Sequence, residues 1–138
     1  MENNPLVLER TYDAPVEKVW QALTDPLKMK QWYFDVPMFR PEVGSKFHFM
    51  AGDSQQQYEH LCEVTEAVEN KKISYTWAYG GYEGKSEVSF ELFPENGKTR
   101  LVLTHKGLET FVGAPFKREN FNQGWTHFTG ALVDFLAR

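Results

Sequence analysis

The stretch from Glu119 to Arg138 reads as one amphipathic helix whose buried stripe is largely aromatic. Phe121, Trp125, Phe128, Leu132, Phe135 and Leu136 recur at spacings of three and four, so they share one face. No other stretch supports so long a helix, and nearly everything from Lys46 to Lys106 reads as β-strand. A lone long helix with large rings along one side must lie across a sheet to bury them. Rings so placed either fill a core or line a cavity, and the helix alone leaves both readings open.

The rest of the chain supplies that sheet. Leu6 to Tyr12 reads as a first extended segment. Asp13-Ala14-Pro15 then opens a helix at Pro15, with Val16, Val19, Trp20 and Leu23 as a two-turn apolar stripe. Asp25 caps, and Pro26 opens, a second short helix carrying Leu27, Met29 and Trp32. Phe34 to Gly44 has two prolines and little periodicity and reads as a loop. Lys46 to Met50 is a short strand ended by Gly52-Asp53. Tyr58 to Val68 is a longer one, with Tyr58, His60, Cys62 and Val64 on one face. Asn70-Lys71-Lys72 turns the chain into Ile73 to Tyr79, a strand with one almost wholly aromatic face. After the Gly80 to Gly84 turn, Val88, Phe90 and Leu92 alternate with polar residues. Asn96-Gly97 then marks a hairpin into Arg100 to Lys106. The order predicts one α+β domain over residues 1–138: two short helices after the first strand, then a curved antiparallel meander of at least five strands, gripping the long helix. The first strand is separated from the others by helices and is expected at a sheet edge.

Composition narrows the function. A net charge of −4 with scattered lysines and arginines argues against nucleic acid, which requires a basic footprint. Cys62 is the only cysteine, so there is no internal disulfide. The N-terminus lacks the basic and apolar regions of a signal peptide, and no segment is long and apolar enough to span a membrane. A cytoplasmic location follows as the expectation.

Several segments together carry a family resemblance. These are Arg10 to Pro26, Trp32, the strand from Gly44 to Phe49, Tyr75-Thr76-Trp77, Thr99-Arg100-Leu101, His105-Lys106-Gly107 and Gly124-Trp125. In this order they resemble the START-like, or SRPBCC, superfamily, in the branch related to the C-terminal domain of chaperone-ATPase activators. The resemblance implies the helix-grip fold, with an apolar cavity between sheet and helix. Members bind lipids, sterols, polyketides or plant hormones, or act as cyclases and aromatases in that cavity. Chaperone activators of the family carry an additional N-terminal domain. This chain starts almost directly at its first strand, which sets a chaperone partner behind a small hydrophobic or amphipathic ligand.

Against that background the candidate pocket residues are Trp32, Phe49, Tyr75, Trp77, Phe90, His105, Trp125 and Phe128. The rings offer stacking area, and His105 and the hydroxyls of Tyr58, Tyr75 and Tyr79 offer orientation. An imidazole ending the Leu101-Leu103-His105 face is expected to titrate near neutrality. Gly124, costly inside a helix, suggests a close approach by a strand or loop. Leu108, Phe111, Val112 and Phe116 sit on the long loop from Lys106 to Arg118. They either tuck down as packing or form a lid over a pocket mouth. His60 and Cys62 share a strand face and His105 could serve as a third metal ligand, but no fourth is apparent, so no metal or other cofactor is expected. No catalytic motif is present; a cyclase, dehydratase or hydrolase would have to use His105 and a tyrosine. A protein-interaction module working through its outer surface is the remaining alternative.

Overall fold

The computed structural model describes residues 4–52 and 55–138. Asp53, expected to end a strand, and Met1 to Asn3, on which part of the leader reading rests, lie outside the described residues. Six strands form a single antiparallel sheet: β1 (Leu6–Tyr12), β2 (Lys46–Gly52), β3 (Gln57–Val68), β4 (Lys72–Tyr79), β5 (Ser86–Glu95) and β6 (Lys98–Lys106). The helices are α1 (Val16–Thr24), α2 (Pro26–Met29) and α3 (Arg118–Leu136).

Strand order is β1-β6-β5-β4-β3-β2, so β1 does sit at an edge, paired with β6 from Leu6 opposite His105 to Tyr12 opposite Thr99. The four other pairings join sequence neighbours, as short turns between alternating strands require. Asn96 and Gly97 both take positive φ (55° and 82°), the primed turn whose twist suits a two-residue hairpin. The pairing of β3 with β4 shifts register between Val64 and Glu66, a bulge that sharpens the bend of this long strand. Alternation alone carries no sign of it.

Helix ends follow their caps. Asp25 accepts a hydrogen bond from the Leu27 amide at 3.0 Å, with Pro26 opening α2. Pro15 is the N-cap of α1, one residue earlier than its expected first-turn place. Trp32 lies just beyond α2 and donates its indole N–H to the Ala22 carbonyl (2.9 Å), which locks the corner between the two short helices.

The core lies between the concave sheet face and the helices. β4 contributes Ile73, Tyr75, Trp77 and Tyr79, β5 Val88, Phe90 and Leu92, and β6 Leu101, Leu103 and His105, all buried. α3 covers them with Phe121, Trp125, Leu132 and Leu136. The stripe also includes buried Thr129, whose backbone carbonyl accepts from the Tyr12 hydroxyl at 2.9 Å. The Thr99 hydroxyl donates to the Ala14 carbonyl (2.8 Å), and Lys18 Nζ to the Leu136 carbonyl (2.7 Å). These bonds tie the first 20 residues to the last 40 or so. The close approach expected at Gly124 is not there: a methyl added at Gly124 would meet nothing within 4 Å. No helix of the described residues is long and apolar enough to cross a membrane.

Candidate functional site

A ring-filled interior, the chamber of the fold, lies between sheet and α3, its aromatic side chains packed against one another. Period-two alternation puts Phe49, Tyr75, Trp77, Phe90 and His105 on one face of four adjoining or near strands. The helical stripe brings Trp125 and Phe128 over them. Trp125 lies 5.2 Å from Trp77 and 5.8 Å from Phe90, centroid to centroid. Trp77 is 5.8 Å from Phe49 and 6.1 Å from the His105 ring. Tyr75 is 5.9 Å from Phe90, and Phe128 is 6.3 Å from Trp125. Seven of the eight pocket candidates therefore form one continuous ring network. Trp32 joins it through Tyr33, stacked at 5.0 Å.

Polar groups inside the chamber are wired in a definite direction. Trp125 Nε1 donates to His105 Nδ1 at 2.9 Å, so Nδ1 carries the lone pair and the neutral ring keeps its proton on Nε2. Nε2 then donates to Ser86 Oγ (2.7 Å), and Ser86 in turn donates to the Trp77 carbonyl (2.9 Å). This relay joins α3, β6, β5 and β4 with every donor matched to an acceptor. His105 is wholly buried, and desolvation pushes its pKa down to about 3. The neutral titration expected from its sequence position is thus corrected: at pH 7 the ring is an uncharged strut, with neither nitrogen available to move a substrate proton. Trp77 Nε1 donates to Tyr79 Oη (2.9 Å), and burial raises the Tyr79 pKa to about 12. His60 Nδ1 donates to the Tyr58 carbonyl (2.9 Å), its ring stacks on Phe49 at 4.6 Å, and burial lowers its pKa. Burial also pushes the Cys62 thiol far above its usual range, leaving it protonated.

Two residues that the sequence reading passed over complete the chamber. Tyr33 and Phe34, half-buried and just beyond α2, reach in from the loop side. Phe34 stacks on Phe49 at 4.2 Å and lies 4.8 Å from Phe128. The Tyr33 ring lies nearly parallel to Trp125 (6.2 Å, 24°) and meets Phe128 edge-on at 5.1 Å. Its hydroxyl is 2.8 Å from that of Tyr75, which is only 2% exposed. Burial raises the pKa of both tyrosines well beyond their usual range. The one available signal was compositional, a Trp-Tyr-Phe run at the mouth of a loop.

The loop between β6 and α3 folds into two single 3-10 turns, Leu108–Thr110 and Ala114–Phe116. Leu108, Phe111 and Phe116 are buried, whereas Val112 is 64% exposed. Phe116 stacks on Tyr79 at 4.5 Å, and Phe111 stacks on Phe121 at 5.6 Å. Gly84, at φ +113°, makes room for this packing: a Cβ there would stand 2.5 Å from Phe111 Cδ1. The loop also walls an outer cleft of about 710 Å³, lined among others by Leu6, Leu108, Phe111, Phe116 and Arg118. None of the eight chamber candidates lines that cleft.

A curved antiparallel sheet closed on a long C-terminal helix, with an aromatic chamber between them, is the helix-grip architecture of the START-like superfamily. Within it the chain belongs to the family of Activator of Hsp90 ATPase homolog 1-like proteins, whose family model matches residues 13–137. Protein MLL2253 of Mesorhizobium loti is a solved structure similar to this chain, with 30% identity, a TM-score of 0.79 and 98% of each chain covered. Mll3558 of Rhizobium loti (21% identity, TM-score 0.85, 96% of each chain) shares the fold. So does DynU16, from the dynemicin biosynthetic locus (22% identity, TM-score 0.81), over 97% of this chain and 47% of its own length. No curated protein matches the sequence.

Proposed function

We propose that this protein binds an apolar or amphipathic small molecule in the chamber between its sheet and α3. The observation that carries the reading is how the chamber is closed. Its deep walls belong to strands and helix, but its mouth is filled by Tyr33 and Phe34 on an irregular segment, against half-buried Phe128. Side chains on such a segment move outward at far lower cost than a strand or helix can. Their departure uncovers Phe49, Trp77, Trp125 and the Tyr75 hydroxyl together. Apolar burial at about 25 cal/mol per Å² supplies affinity, and the buried hydroxyls supply orientation.

Tryptophan fluorescence tests this directly, because Trp32, Trp77 and Trp125 belong to the chamber or its rim. Titration with fatty acids, sterols and flavonoids is expected to give saturable quenching by at least one class. Trp77→Phe is expected to diminish that signal. Native mass spectrometry checks stoichiometry, with one ligand per chain expected. Absence of saturable binding across the panel, with a folded protein, would overturn the reading. Saturable binding left untouched by Phe34→Ala and Trp77→Phe would relocate the ligand to the outer cleft and would also overturn it.

A further inference from the structure

Tyr33 occupies the chamber as a ligand would. It lies outside every helix and strand, with its amide bonded to the Met29 carbonyl at 2.7 Å, and its ring lies nearly parallel to both Trp32 and Trp125, while Phe34 and Phe128 meet it at steeper angles. Its hydroxyl reaches the inner end of this slot and bonds to Tyr75. Tyr75 is held differently: it is a β4 residue, paired with Val64 on one side and Val88 on the other. It faces Phe47 edge-on at 5.0 Å. Were Tyr33 to swing out, Tyr75 would stay and its buried hydroxyl would lose its one hydrogen bond among the described residues. A buried hydroxyl without a partner is costly, so an incoming molecule that restores the bond is favoured over one that only fills the volume.

We propose that Tyr33 is a tethered stand-in for the ligand, and that the slot it vacates takes a planar hydroxylated aromatic ring whose hydroxyl bonds to Tyr75. This rests on the chamber reading above and names its ligand class and its regulation. Closed and open forms then compete. Tyr33 lowers apparent affinity by the fraction of molecules in which it occupies the slot, and only ligands that replace both its stacking and its hydrogen bond bind well.

The test uses 2-naphthol, naphthalene and lauric acid with the full chain. Tyr33→Ala is expected to tighten 2-naphthol binding by about tenfold or more, because the competitor is gone. In that variant 2-naphthol is expected to bind at least about tenfold tighter than naphthalene, and adding Tyr75→Phe is expected to erase the preference. In the unaltered protein, the Tyr33 ring resonances are expected to move to solvent-exposed values as 2-naphthol is added; this readout holds even if a variant fails to fold. Unchanged Tyr33 resonances on saturation would overturn the proposal, as would equal affinity for 2-naphthol and naphthalene in Tyr33→Ala. Lauric acid binding that Trp77→Phe weakens and both tyrosine substitutions leave unchanged, together with no preference for 2-naphthol over naphthalene, would leave the chamber reading standing and this proposal refuted. No binding of 2-naphthol to wild type or Tyr33→Ala would refute this proposal, and failure of the fatty acids, sterols and flavonoids as well would refute the chamber reading with it.

Discussion

Acid should unfold this protein through His105, and by a calculable amount. In the folded state the ring accepts at Nδ1 from Trp125 and donates at Nε2 to Ser86, so a second proton must break the Trp125 bond on a wholly buried ring. Its folded pKa is near 3, against 6.5 for an unrestrained histidine. The depressed value sets the sign: below pH 6.5 the unfolded chain binds a proton that the folded chain refuses, so stability falls as pH falls. The loss begins near pH 6.5 and continues to about pH 3. Relative to pH 8, linkage gives a loss of about 2 kcal/mol at pH 5 and about 3 kcal/mol at pH 4. His60, also lowered by burial, adds loss of the same sign. Urea unfolding at pH 8, 6 and 5 measures the total. His105→Gln isolates one residue, since a glutamine accepts and donates along the same line without titrating. The difference between pH 8 and pH 5 is expected to shrink by about 2 kcal/mol in His105→Gln. Nitrogen-15 shifts of the ring provide a second check, with the Nε2–H tautomer expected to persist to pH 4. An identical pH slope in both proteins, or a ring that titrates near 6.5, would refute the proton-excluding relay.

Two further substitutions test backbone positions. Gly124→Ala is expected to raise stability by about 0.5–1 kcal/mol, because the new methyl meets nothing and the unfolded chain loses freedom; thermal or urea unfolding reads it. Gly84→Ala should do the opposite by about 1–3 kcal/mol, from positive φ and collision with Phe111 and the Thr110 carbonyl. Hydrogen exchange should then rise from Leu108 to Phe116 before it rises elsewhere.

Periodic burial is what a sequence exposes, and it made the helix, the strands and the order of the meander legible here. The α3 stripe and the aromatic face of β4 placed Tyr75, Trp77, Phe90, Trp125 and Phe128 correctly on facing surfaces. Asp25-Pro26 and Asn96-Gly97 marked their turns by local chemistry. What stayed hidden has no period. Tyr33 and Phe34 reach the core from a segment whose path depends on the corner that Trp32 locks. Val36 and Phe39, in the same loop, are buried for the same reason. Ser86 looks like any strand-end serine until it is seen against the His105 ring. His105 stands out in the sequence for its chemistry, but burial and two fixed partners reverse what that chemistry implies. Sequence also gives no means to know that Gly124 faces open space.

The pairing of β1 with β6 has a consequence in time. Leu6 meets His105 and Tyr12 meets Thr99, so the first strand of the chain pairs with the last. The hairpins from β2 to β6 close through short turns and form early, whereas β1 must wait for β6 to be in place before it finds an edge. Closing so large a loop, then seating α1 against it, makes this contact order high for the chain's size. Folding on the order of milliseconds to seconds follows. Until that closure Leu6, Tyr12 and Trp20 stay exposed, and the edge of β6 is open to a neighbouring chain. The interval before β1 docks is therefore when this protein is most exposed to aggregation.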